Sequence, residues 1–372
     1  MHHTFRMGEF FSGPGGMALG AWQAAQDVSR ETGEQISLIH QWANDFHPDT
    51  EKTYRANIRP TEFISGDVRE IDPKSLVRVD GFAFGFPCND FSQIGEHRGL
   101  DGEFGPLYEQ GVEVLKTHQP KWFVAENVTG LISSNDGRAL EKILEAMASA
   151  GDHGYHLVPH IYRFEEYGVP QKRRRIIIVG IRGDLAEHIR FQVPAPTTPA
   201  EPISVEKAFA DIPADAPNHD LPRHNQTVVE RLKLIAPGEN AFNAKLLQED
   251  EQLRLNVKGA TLSNIYRRLE SDKPSYTVTG SGGGGTHMYH WEEPRALTNR
   301  ERARLQSFPN DFRFHGGPAS VRKQIGMAVP VEGARVIFEA LFRTFLGKSY
   351  PTAERNMNDV SPKPLREESL LV

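Results

Sequence analysis

Apolar residues in the first 180 positions come as short blocks, near 5–11, 36–40, 79–84, 122–125, 157–164 and 176–180. Each block is too short for a helix and rich in Phe, Val and Ile, which predicts buried strands. Between them, 17–30 and 140–150 read as helices, the second with Leu140, Ile143, Leu144 and Met147 at helical spacing. Strands and helices in alternation predict an α/β domain built on a doubly wound parallel sheet. From Pro194 the pattern breaks: Pro196, Pro199, Pro202 and Pro213 follow with little periodicity, which reads as a linker into a second region. That region reaches about 293 and holds a glycine run, 280–285, between Tyr276-Thr277-Val278-Thr279 and His287-Met288-Tyr289-His290. Such a run is either a slack tether or a loop that brings backbone close to a ligand. Helical periodicity returns at 298–307 and 331–346, and the proline-containing, aperiodic tail after Tyr350 is expected to be poorly ordered. The expected division is 1–180, 181–293, a segment 294–349 returning to the first domain, and the tail 350–372.

Polar residues gather where these strands end. Phe11-Ser12-Gly13-Pro14-Gly15-Gly16 places a glycine-rich turn between a strand and a helix, where backbone amides can meet a ligand. Its spacing is not that of a dinucleotide fingerprint. Asp45, in Asn44-Asp45-Phe46, stands where an acid can accept from a ribose diol. Asp67, in Gly66-Asp67-Val68, stands at a further strand end, placed to meet an adenine amino group. Either acid taken alone reads more readily as a turn or cap residue than as a ligand-binding one. The run Phe82-Ala83-Phe84 continues into Gly85-Phe86-Pro87-Cys88, so a proline turns the chain outward just before a thiol. Glu126 and Asn127 follow Trp122-Phe123-Val124 at the same expected sheet edge. A thiol and a carboxyl converging there would supply a nucleophile and an acid for attack on a polarised ring. In Gln171-Lys172-Arg173-Arg174-Arg175 alternate residues share a face, so 171, 173 and 175 point one way.

Composition narrows the classes. Among 372 residues, 38% are hydrophobic and 25% charged, as in a globular protein of one large and one smaller domain. No apolar run approaches the ~18 residues of a membrane span, and the start lacks a signal-peptide core. A single cysteine allows no intrachain disulfide and no cysteine-rich metal site, which fits a reducing cytoplasm; no metal is expected. The net charge of −6 argues mildly against nucleic acid. A basic cleft can coexist with acidic remote surfaces, and 172–175 with Arg295, Arg300, Arg302 and Arg304 are its candidates.

In their order these segments resemble the C5-cytosine DNA methyltransferases. The resemblance rests on Phe11 to Gly16, Pro87-Cys88, Glu126-Asn127-Val128, Gln171-x-Arg173-x-Arg175, the segment from Arg295 to Pro309, and Gln324 to Pro330. It covers roughly 5–180 and 274–345. It implies a Rossmann-like sheet of the S-adenosylmethionine-dependent methyltransferase fold, with a smaller irregular, mostly β target-recognition domain at 181–293. Cys88 would attack C6 of a flipped-out cytosine, Glu126 would bind its N3 and exocyclic amine, and Arg173 and Arg175 would support the carbonyl and the carboxyl. The cofactor, S-adenosyl-L-methionine, would meet Phe11, Gly13, Gly15, Gly16, Asp45, Phe46, Asp67, Val68, Gly85, Pro87, Leu107, Ala328 and Val329. Double-stranded DNA would meet Ser92, Gln171, Lys172, Arg174, Thr277, Thr279 and Arg300. A monomeric bacterial enzyme is implied, with a cognate restriction endonuclease acting separately.

Two positions depart from the family pattern: Phe104 stands where arginine is usual, and Met327 where asparagine is usual. Asn89 for glutamine is a lesser change. Three other readings remain open. The transfer-RNA-methylating branch carries a second cysteine in its recognition region, which this chain lacks. A silent DNA-binding relative would have lost the thiol or the Glu126 segment, and both are present. A nicotinamide-dependent dehydrogenase lacks the Pro87-Cys88 segment and would show the dinucleotide fingerprint.

Overall fold

The computed structural model describes residues 2–87, 107–255, 264–282 and 285–362. At its centre lie β1 (His2–Phe10), β2 (Gln35–Asp45), β3 (Glu62–Ser65), β4 (Gly81–Phe84), β5 (Trp122–Val128), β6 (Tyr155–Arg163) and β7 (Arg174–Arg182), one sheet in the order β3-β2-β1-β4-β5-β7-β6. The first five strands run parallel, whereas β7 is antiparallel to both β5 and β6. The sheet is therefore mixed, and the expectation of a purely parallel one is corrected. β3 lies outside the apolar blocks, an edge strand in which only Phe63 is buried, so it offers no apolar run.

Side-chain alternation divides the core between two faces. Ala83, Trp122, Val124, Ile177 and Val179 bury on one face, against α1 (Gly16–Thr32), α2 (Pro48–Asn57) and the C-terminal helix. Phe82, Phe84, Phe123, Ala125, Ile176 and Ile178 bury on the other, against α3 (Tyr108–His118) and α4 (Arg138–Ala148). Central strands buried on both faces explain why β4 and β5 read as unbroken apolar runs. α4 shows the expected stripe, with Leu140, Ile143, Leu144 and Met147 all buried.

After the sheet, α5 (Gly183–Ala186), α6 (Val205–Phe209), α7 (Gln226–Lys233) and α8 (Lys245–Glu249) are short pieces in a largely irregular region. Among the described residues this region adds isolated bridges but no strand, so it is irregular and not mostly β. It has its own small core, in which Leu232, Ile235, Ala244, Leu247, Ile265 and Tyr289 meet. Phe191 and Val193, by contrast, bury in the core of the sheet, which moves the structural boundary well past 181.

α9 (Asn299–Leu305) opens on a capping box, Thr298 accepting from the Glu301 amide at 3.1 Å while the Glu301 carboxylate accepts from the Thr298 amide at 2.7 Å. α10 (Pro318–Met327) and α11 (Val331–Phe345) return to the sheet domain. A Cβ on Gly16 would lie 2.1 Å from the Val329 carbonyl oxygen, so glycine lets the start of α1 touch this returning segment. The tail does not fray as expected up to Pro362: Leu157 and Val360 exchange backbone hydrogen bonds of 2.7 and 3.1 Å, and Ala353 donates to Val193 at 2.9 Å. Residues 363–372 lie outside the described residues. Among the described residues, no helix is long and apolar enough to cross a membrane.

Candidate functional site

Strand pairing brings the expected site residues into one row. Phe10 pairs with Asn44 on one side and Phe84 on the other, Asp45 pairs with Ser65, and Phe84 pairs with Ala125. The residues that follow therefore line the carboxyl edge: Asp67 beyond β3, Asp45 at the end of β2, Phe11 beyond β1, Gly85 beyond β4 and Glu126 in β5. The order of strands reverses between β1 and β4, and open α/β sheets bind ligands at such a switch point.

At the centre, Glu126 Oε1 pairs with Arg175 Nε at 2.8 Å. The pairing depends on β7 being antiparallel, because Val128 lies opposite Arg175 and the start of β7 thus meets the end of β5. Both side chains are mostly buried, 13% and 14% exposed, so the pair is screened less than a surface pair yet stays open to a ligand. A Cβ on Gly85 would sit 3.3 Å from Glu126 Oε2, and Asn127 Nδ2 donates to the Phe86 carbonyl at 3.2 Å. The strand leading to Cys88 is thereby fastened beside the carboxylate up to Pro87. Cys88, Ser92, Asn89 and Phe104 lie outside the described residues.

Beside this centre is a pocket lined by Gly13, Asp45, Phe46, Thr50, Gln324 and Met327. Two large apolar side chains face outward there, Phe46 at 65% exposure and Met327 at 53%. Buried Asp45 accepts from the Gly13 amide at 2.9 Å, the His47 amide at 2.9 Å and the Thr50 hydroxyl at 3.0 Å. It therefore shapes the glycine turn as well as edging the pocket. Phe11 takes the left-handed conformation, φ 54°, which is uncommon for a non-glycine residue and turns the chain sharply off β1. Asp67 caps the following turn, bonding the Arg69 amide at 2.9 Å, and the Arg69 side chain holds its carboxyl below the usual range. Val68, Leu107, Ala328 and Val329 are buried, while Gly15 and Gly16 are buried within the turn. An exposed ring and thioether thus stand beside a carboxylate and a glycine turn at this edge. Gln324 was overlooked as a pocket residue; it accepts from Thr53 at 2.7 Å, a contact spanning 271 positions that no local pattern reveals.

The basic run alternates as expected, but its inward face serves the fold. Lys172 and Arg174 are exposed. Gln171 is fully buried, donating to Leu305 O at 3.1 Å and accepting from the Val278 amide at 2.7 Å, so it braces the seam and its amide is taken up within the protein. Arg173, 3% exposed, donates to the carbonyls of Val278 and Ala328, each at 3.2 Å, and so ties the basic run to the returning segment. Arg300 is likewise corrected: it is fully buried and its guanidinium donates to the carbonyls of Pro217, Pro309 and Phe312. Arg295 pairs with Glu293 and Glu301, and Arg304 with Asp211. Thr277 and Thr279 are half-buried, Thr277 donating to the Lys172 carbonyl at 2.7 Å. Gly280 is no slack tether, since a Cβ on Gly326 would lie 2.0 Å from its nitrogen. Among the described residues, no cluster of three or more His, Cys, Asp or Glu side chains could hold a metal ion.

Comparison with known proteins follows this geometry. The family model described as C-5 cytosine-specific DNA methylase matches residues 5–343. The Type II methyltransferase M.BbvI of Brevibacillus brevis is 54% identical over 373 residues, covering 98% of each chain. The Type II methyltransferase M.NgoFVII of Neisseria gonorrhoeae is 38% identical over 342 residues, covering 90% of this chain and 86% of that one. Among solved structures, the S. pombe Dnmt2 methyltransferase shares the fold with a TM-score of 0.58 at 14% identity, covering 92% of this chain and 99% of that one.

Proposed function

The chain belongs to the C-5 cytosine-specific DNA methylase family and is a DNA (cytosine-5-)-methyltransferase, and from that premise we propose how its residues divide the reaction. The substrate is a cytosine in double-stranded DNA, flipped out of the helix because C6 and C5 are unreachable in the stack. The thiolate of Cys88 adds to C6, and the ring electrons move toward C5 and N3. Glu126, oriented by Arg175, bonds N3 and the exocyclic amine and stabilises the charge that attack places in the ring. S-adenosylmethionine, when bound, supplies an electrophilic methyl group to the activated C5. Loss of the C5 proton and departure of the thiolate then restore the aromatic ring and free Cys88.

The observation that carries this reading is the Glu126–Arg175 pair at the switch point, beside the backbone that delivers Cys88. Phe46, Asp45 and Gly13 edge the pocket for the cofactor's nucleoside, with Met327 closing its far side. Arg173 is a positioning residue. Exposed Lys172 and Arg174 are assigned to DNA phosphates, which makes binding salt-dependent. Like the Type II relatives, the enzyme is assigned to a restriction-modification pair, its endonuclease acting separately, and it is proposed to work as a cytoplasmic monomer.

Cys88→Ser tests the covalent step. An alcohol is a far weaker nucleophile than a thiolate at neutral pH, so methyl transfer should vanish while DNA binding persists. With 5-fluorocytosine at the target the native enzyme should form a stable adduct, because fluorine cannot leave as a proton. Methylation by the serine variant at a near-native rate would overturn the assignment.

A further inference from the structure

Among the described residues Arg302 is an arginine without a side-chain partner. It lies in α9, is 2% exposed, and no hydrogen bond or ion pair from its guanidinium is found among the described residues; Nη2 is wholly shielded from solvent. The neighbouring carboxylate, Glu301, is already committed to Arg295 at 2.8 Å and to the Thr298 amide. The side chain lines a concavity formed with α10 and the 220–224 loop, apart from the carboxyl-edge pocket. Arg322 lines the same concavity, with Nη2 on the Gly282 carbonyl at 3.3 Å and Nε unpartnered, and so do Arg223, His224 and His287. One carboxylate, the exposed Asp220, also lines it.

Burying a cation is costly, and burial pushes Arg302 down to about 10, only partly offset by Tyr276, Tyr289 and Glu301. His287 is pushed down to about 4, first by burial and then by the positive charge of Arg302, Arg322 and His224 beside it. Guanidinium forks match the oxygens of phosphate in geometry as well as charge. We propose that this concavity binds a phosphate-class oxyanion, with Arg302 as its buried anchor and Arg322, Arg223 and His287 around it. The anion is either a backbone phosphodiester of DNA or a free phosphate, and the site stands independently of the methyl-transfer chemistry.

The test is thermal melting of the full-length protein in rising inorganic phosphate, with chloride at matched ionic strength as control. Tm should rise by a few degrees and saturate, as expected when a ligand binds only the folded state. Arg302→Met should abolish the rise while melting no lower than the native protein without phosphate, since it removes the unpaired buried charge. Arg322→Met, at a half-buried position, should weaken the rise and serves if Arg302→Met fails to fold. A rise no greater than with chloride, or an equal rise in both variants, overturns the proposal. Repeating the titration with a short DNA duplex bound separates the sources. A lost phosphate effect supports a DNA phosphodiester in the site, and a persistent one supports a free anion.

Discussion

The Glu9 carboxyl is 1% exposed in β1, with one oxygen accepting from the Tyr54 hydroxyl at 2.7 Å and the other without a partner among the described residues. Burial, only partly offset by that hydrogen bond and reinforced by Asp45, pushes it up to about 8. A carboxyl raised in the folded state binds its proton more tightly there than in the unfolded chain. Its stabilising contribution is therefore complete below the unfolded value of ~4.3 and is lost as pH rises through about 8. Glu9→Gln should keep the bond from Tyr54 and remove the titration. Between these limits the variant's Tm should fall less with pH than that of the native protein, with the advantage greatest near pH 8. Parallel Tm profiles across that window would show that the carboxyl does not titrate with folding.

At the level of elements, α10 joins the two halves of the cleft through contacts that permit no extra atom. A Cβ at Gly326 would lie 2.0 Å from the Gly280 nitrogen and 2.1 Å from the Thr279 carbonyl carbon, backbone that cannot swing aside. Gly326→Ala should destabilise the protein by ~1–3 kcal/mol, the scale of overpacking, and lower kcat/KM by displacing Met327 from the pocket. Urea melts reporting native stability would contradict this packing. The strands themselves were legible because β1, β4, β5 and β7 bury apolar runs, and the glycine turn and Glu126 could be placed from where those runs end. The direction of β7 was not legible, since Ile176 to Val179 would be equally buried in a parallel strand. Yet a parallel β7 would carry Arg175 to the opposite edge from Glu126. Period two correctly put Gln171, Arg173 and Arg175 on one face. That the face points inward depends on carbonyl acceptors at Val278 and Ala328, more than a hundred positions away. Local pattern cannot show an arginine buried by distant backbone, which is also why Arg300 was misplaced.

For the whole molecule, the separate core around Leu232, Leu247 and Tyr289 means that the region beyond the sheet can change its surface without disturbing the catalytic edge. Base edges must be read in the grooves by side chains that reach them, whereas a cytosine flipped out as proposed would be held in its own pocket. On the proposed mechanism, specificity would then belong to this second region and chemistry to the sheet. The joints are not free, however. His219 bonds Thr298 at 2.9 Å, His224 accepts from the Ala296 amide at 2.9 Å, and Asn218 bonds both backbone groups of Phe314 at 3.0 Å. Residues 199–217 also serve the sheet side, through Arg304 to Asp211 and Arg300 to Pro217. An exchange of 225–293 for the matching stretch of a relative with a different site should thus preserve folding better than an exchange of 181–293, which severs these contacts. The shorter hybrid should methylate DNA in the donor's pattern, read by sequencing of 5-methylcytosine. An active hybrid that keeps the original pattern would place recognition on the sheet side of the cleft, and the exposed Lys172 and Arg174 would then be the first residues to test for base contacts.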